Sequence, residues 1–108
     1  MDKNSTFAKF ATVQNEGNRH NSHRADQAKF LKNGGSTLFP EEINLLGNIN
    51  KSTLLHLMCN SGQDSLSLAA RRANVTGVDI SDEPINFAKQ LSIDSGLYAD
   101  FYCSDLYN

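Results

Sequence analysis

Hydrophobic and polar positions divide the chain into two halves of different character. In the first half, Ser5 or Thr6 can cap a short helix whose apolar face is Phe7, Phe10 and Ala11, at i, i+3, i+4 spacing. Gln14–Arg24 is polar without a period and reads as a loop. The spacing then predicts a helix over Arg24–Lys32 that buries Ala28 and Leu31 and ends at Asn33-Gly34-Gly35. Pro40 opens a short helix carrying Ile43, Leu45 and Leu46, with Glu41 and Glu42 at its positive end and Gly47 at its close.

The second half alternates strand with helix. Thr53–Met58 is apolar apart from His56, as expected of a strand covered on both faces. Gly62–Ala73 places Leu66, Ala69, Ala70 and Ala73 on one helical face, and Asn74 ends it. Val75–Ile80 is a second strand. Ser81 or Asp82 can cap the next helix, Pro84 fits its first turn, and Ile85, Ala88 and Leu91 form its buried stripe up to Gly96. Leu97–Cys103 is a third strand. Strand, helix, strand, helix, strand predicts right-handed βαβ units: an α/β chain with a Rossmann-like parallel sheet, helices on both faces, preceded by short N-terminal helices. The expected division is an N-terminal helical lid over 1–52 and a partial cofactor-binding domain over 53–108.

Composition adds limits. A chain of 108 residues with 39% hydrophobic and 20% charged positions is an ordinary globular composition for one small domain. The net charge of −2 and the scatter of the ten basic residues argue against binding nucleic acid through bulk electrostatics. Arg71–Arg72 fall where a helix should end at the surface. Cys59 and Cys103 each sit in an apolar run, so both are expected to be buried thiols rather than a disulfide or a zinc site. With no signal peptide and no apolar run near 18 residues, the expected location is cytoplasmic, away from membranes.

Candidate chemistry lies at the carboxyl ends of the three strands, where open parallel sheets hold ligands. In Cys59-Asn60-Ser61-Gly62-Gln63-Asp64-Ser65, Gly62 lets a ligand approach the backbone, and the amides of Gln63, Asp64 and Ser65 would open a helix, which suits a carboxylate. The plain alternative is a tight turn with Ser61 or Asp64 as cap. Asp79 ends the second strand 17 positions beyond Gly62, where an acid can accept from both hydroxyls of a ribose. Its alternative is to cap the following helix, a task for which Ser81 and Asp82 are better placed. Asp105 can accept from an adenine amino group while the Leu106 amide meets a ring nitrogen; its alternative is a solvated carboxylate.

Taken together, L-L-H-L-M-C-N-S-G-Q-D-S-L-S-L-A, V-T-G-V-D-I-S-D-E-P-I and F-Y-C-S-D-L-Y resemble the first three motifs of the class I S-adenosylmethionine-dependent methyltransferases. They are closest to a bacterial subgroup whose glycine loop reads H-L-x-C-N-x-G-x-D. The resemblance covers about half the chain. It implies S-adenosylmethionine as cofactor and methyl transfer to a small-molecule acceptor. Backbone at Cys59, Asn60 and Gly62 would face the methionine part, with Gln63, Asp64 and Ser65 near its amino and carboxylate groups. Asp79 would hold the ribose, Ile80 would pack on the adenine, and Asp105 with Leu106 would read the adenine edge. His56 stands where many relatives carry an acid; a neutral core or supporting histidine is the other reading.

The resemblance also implies an absence. The family's sheet has about seven strands, and the chain as given ends after the third, so it reads as truncated and its catalytic residues stay unassigned. Thr53–Met58 would then be an exposed apolar edge that pairs with a second copy or a complementing C-terminal fragment. His20 and His23 could belong to a lid over the cofactor; solvated loop histidines are the simpler reading. Two other functions remain open: a non-catalytic cofactor-binding remnant or assembly module, and a nicotinamide-dependent oxidoreductase domain. The latter wants G-x-G-x-x-G, against the single Gly62 here.

Overall fold

The computed structural model describes residues 23–105. The expected elements at Phe7–Ala11, His20 and Leu106 lie outside that range. Seven elements follow in the order α1 (Arg24–Lys32), α2 (Pro40–Leu46), β1 (Thr53–Leu57), α3 (Gln63–Ala69), β2 (Asn74–Asp79), α4 (Asp82–Ser95) and β3 (Asp100–Cys103). The strands form one parallel sheet in the order β1-β2-β3, with Leu54 opposite Val75 and Gly77 opposite Phe101. This is the Rossmann-like α/β architecture that the alternating pattern predicts.

Both crossovers step in the same direction across the sheet, so right-handed connections place α3 and α4 on the same face. Helix α1 packs on α4 and also touches α3. Of the two helix layers expected, the described residues contain this one. Its interface with the sheet buries Leu54, Val75 and Phe101 against Leu66, Ile85, Ala88 and Leu91, each no more than 5% exposed. Ala28 and Leu31 of α1 belong to the same core. The Arg24–Asp94 ion pair (3.0 Å) spans α1 and α4 but is exposed to solvent, where such pairs contribute little. Burial of Ala28 and Leu31 therefore decides where α1 sits.

On the other face of the sheet, Leu55, Leu57 and Thr76 are half-buried and Tyr102 is exposed. β1 is an edge strand of the described sheet, as the sequence led one to expect. Among the described residues, no helix is long and apolar enough to cross a membrane.

Several boundaries differ from the sequence expectation. Helix α3 stops at Ala69, four residues before Ala73, and the chain turns through Arg72 at φ 70°. The turn lets Arg72 O accept from Lys51 N (2.8 Å) and Ser52 O accept from Asn74 N (2.7 Å), which aligns β2 beside β1. Strand β3 begins at Asp100 rather than Leu97. Cys103 is exposed at the end of β3, not buried; both cysteines are free thiols.

Candidate functional site

The carboxyl ends of β1 and β2 meet through one side chain. Asp79, the last residue of β2, accepts from the Asn60 amide at Oδ2 (2.8 Å) and from the Ser81 amide at Oδ1 (3.1 Å). A single carboxylate thus ties the loop after β1 to the loop after β2. Ser81 stands at the N-cap of α4 without a side-chain cap bond, so Asp79 braces the approach to that helix without itself capping it.

The loop after β1 is bent hard. Met58, Asn60 and Gly62 have φ of 56°, 57° and 85°, alternating with Cys59 and Ser61. Left-handed backbone costs a side-chain-bearing residue roughly 1–3 kcal/mol, least for Asn, and such strain gathers at functional loops. Hydrogen bonds offset it here: Cys59 N to Val78 O (2.9 Å), Asn60 N to Asp79, and Gly62 N to Cys59 O (3.2 Å). Gly62 has a second reason to lack a side chain. A Cβ there would stand 2.6 Å from Ala88 Cβ and 3.0 Å from the Phe101 ring. Gly77 meets the other side of that space, where a Cβ would lie 2.8 Å from the same ring and 3.0 Å from Cys59 Sγ.

The three residues after Gly62 send their side chains to partners within the fold. Gln63 donates to Gln27 Oε1 on α1 (2.8 Å). Asp64 accepts from the Thr37 hydroxyl, which also bonds Ser67 Oγ (3.1 Å). Ser65 Oγ lies 2.6 Å from His56 Nδ1, with both residues 1% exposed or less. What Gln63, Asp64 and Ser65 offer a ligand is therefore backbone. Thr37 and Gln27 were not legible as site residues, since their partners stand 27 and 36 positions away.

His56 is the core histidine of the two readings. Burial lowers its pKa to about 4, against the opposing pull of the Asp79 charge. In the neutral ring with its proton on Nε2, the Ser65 hydroxyl donates to Nδ1, locking β1 to the first turn of α3. His23 lies exposed at the N-cap of α1.

Cys59 is 2% exposed, and burial, aided by the Asp79 charge, pushes its thiol up to about 12. The thiolate is the reactive species, so Cys59 should be inert. A disulfide reagent is expected to label Cys103 alone in the native protein and both cysteines in denaturant; rapid native labelling at Cys59 would contradict this placement.

The remaining predicted positions flank Asp79. Ile80 is an exposed apolar side chain (62%) directly after the carboxylate. Ser104 N donates to Asp79 O (2.9 Å), which brings Asp105 to the rim just beyond β3. A cavity of about 350 Å³ lies between Asn60 and Ser61 on one side and Glu83, Pro84 and Phe87 on the other. Among the described residues, no group of three or more His, Cys, Asp and Glu is placed to hold a metal ion.

The arrangement is thus a strained glycine turn, an acid joining two strand-end loops, an exposed apolar residue beside it and a second acid at the third strand. Comparison with known proteins gives the same segment a family. Residues 55–108 match the family described as "Methyltransferase domain". Over 57 residues the chain is 37% identical to a ubiquinone biosynthesis O-methyltransferase of Nitrosomonas europaea, covering 53% of this chain and 24% of that protein. The chain thus spans about a quarter of the length of this curated relative. With half of its residues matched, and with the sheet and loop described above lying in that half, the chain belongs to the methyltransferase domain family.

Proposed function

We propose that the chain binds S-adenosylmethionine at the carboxyl ends of its three strands and serves methyl transfer to a small-molecule acceptor. The observation that carries this reading is Asp79. Each of its oxygens takes one backbone amide in the described hydrogen bonds, and a carboxylate has about four acceptor sites. Its chemistry therefore fits a pair of ribose hydroxyl donors while the amides hold it in place. Ile80 beside it offers an apolar surface for the adenine, with Asp105 at the adenine edge. Backbone at Cys59, Asn60 and Gly62 faces the methionine portion, and the amides of Gln63, Asp64 and Ser65 face its charged end.

The bound cofactor would supply an activated methyl group on a sulfonium. What the chain's residues add is placement, and orientation of reactants can account for several kcal/mol of a barrier. Asp79 and the strained loop fix the cofactor's position, and the His56–Ser65 bond keeps the start of α3 from shifting beneath it. The similar protein is named an O-methyltransferase, which makes an acceptor oxygen the first choice.

Titration calorimetry of the chain with S-adenosylmethionine tests the proposal, with reduced nicotinamide dinucleotide as comparator. Asp79→Asn removes the charge and should weaken S-adenosylmethionine by about 10- to 100-fold, the worth of a hydrogen bond to a charged group. Circular dichroism checks that the variant keeps its fold. No binding by the native chain, or equal binding by the folded variant, would sink the cofactor assignment.

A further inference from the structure

A second, larger cavity of about 490 Å³ lies away from Asp79, between α1 and residues 36–39. Its apolar walls include Phe30, Leu38 and Phe39, and its polar lining includes Asp26, Gln27 and Gln63. Half of each phenylalanine surface is open, at 49% for Phe30 and 47% for Phe39. Among the described residues, Asp26 is the one charged residue lining it.

The walls are held in place. The Phe30 ring lies against Gly35, where a Cβ would stand 2.5 Å from the ring. The Phe39 backbone is held by its own amide, which donates to Glu42 Oε1 (2.8 Å), and by Pro40 at the start of α2. Thr37 is tied to Ser67 through its backbone amide (2.9 Å). The Gln27–Gln63 bond (2.8 Å) forms the wall nearest the glycine loop, since Gln63 directly follows Gly62. Preformed cavities of 300–1,000 Å³, mostly apolar and with a few placed polar groups, are the usual form of small-ligand sites.

We propose that this cavity binds a small aromatic cation: a flat ring between Phe30 and Phe39, with a protonated amine directed to Asp26. Aromatic rings pack on one another through offset or edge-to-face contacts, and the Asp26 carboxylate favours a cation over an anion. An aromatic acid of the same size is disfavoured by the same charge. The use of this site for the methyl acceptor rests on the methyl-transfer reading above; its ligand chemistry rests on its own walls.

Tyramine and 4-hydroxyphenylacetate share a ring and a hydroxyl but carry opposite charges, which makes them a matched pair of probes. In titrations of the full chain followed by NMR, tyramine should bind at least fivefold more tightly than the acid. Asp26→Asn should erase that ratio. Phe39→Ala, an exposed change outside the core, should weaken tyramine at least threefold. Neither variant should alter S-adenosylmethionine binding. Equal affinity for the two probes, or tyramine binding untouched by both substitutions, would overturn the proposal. Tyramine binding of the expected pattern without S-adenosylmethionine binding would keep the site and remove its role as acceptor site. The converse result would remove the site alone.

Discussion

Between neutral pH and pH 4.5 the chain should lose about 2 kcal/mol of stability through one residue, His56, and roughly 3 kcal/mol once the pH falls below 4. Its folded pKa is about 4, against 6.5 for an ordinary histidine, because burial disfavours the charged ring. A histidine whose folded pKa is depressed takes up its proton more readily in the unfolded chain. The stability is therefore fully present above pH 6.5, falls as pH drops from 6.5 toward 4, and changes little through this group below that. A gap of about 2.5 units corresponds to roughly 3 kcal/mol at 1.36 kcal/mol per unit. For a small domain that is a large part of the total. Urea unfolding across this range measures the slope. Carboxylates also titrate toward the acid end, so the informative quantity is the difference from His56→Gln, which keeps a polar group opposite Ser65 but has no proton to take up. The variant should show a clearly flatter profile, and identical slopes in the two proteins would show that His56 does not carry the effect.

Gly62→Ala should destabilise the chain by about 2–4 kcal/mol. Two costs combine. The backbone there is left-handed at φ 85°, which costs a residue with a Cβ roughly 1 kcal/mol or more. The new methyl group would also stand 2.6 Å from Ala88 Cβ and 3.0 Å from the Phe101 ring, and overpacking of this kind typically costs about 1–3 kcal/mol. Gly96 separates the two. It has a similar φ of 75°, but nothing lies within 4 Å of a Cβ built on it, so Gly96→Ala meets the backbone cost alone. The difference between the two urea midpoints, converted with a common slope, reads the steric cost at position 62. Equal destabilisation by both substitutions would show that the close approach of Ala88 and Phe101 is relieved by movement.

Much of this fold was legible from local pattern. The apolar runs at Leu54 and Val75, the stripe Ile85-Ala88-Leu91 and the glycines at 47 and 96 mark elements whose residues the structure buries or turns as expected. Local pattern failed where tertiary bonds overrode it. Ala70–Ala73 are acceptable in a helix, yet the chain leaves the helix there because Arg72 and Asn74 bond to Lys51 and Ser52 as β2 takes its register. At the site, the positions of Gly62 and Asp79 followed from strand ends and turn chemistry. The allegiances of Gln63, Asp64 and Ser65 did not, because a polar side chain at a helix start looks the same whether it faces a ligand or a partner on α1, at Thr37 or on β1. Whether His56 was core or ligand was likewise decided by what stands opposite it, a fully buried hydroxyl from nine positions further on.

The Phe101 ring touches the spaces left at Gly62 and Gly77, on two other segments of the chain. These positions share one volume, although they belong to the third strand, the first loop and the second strand. Their histories should therefore be linked. A lineage that shrinks the ring gains room beside Gly77, while Gly62 stays closed by Ala88, 2.6 Å from a Cβ built there. Change at Phe101 sets what position 77 can accept, and the reverse.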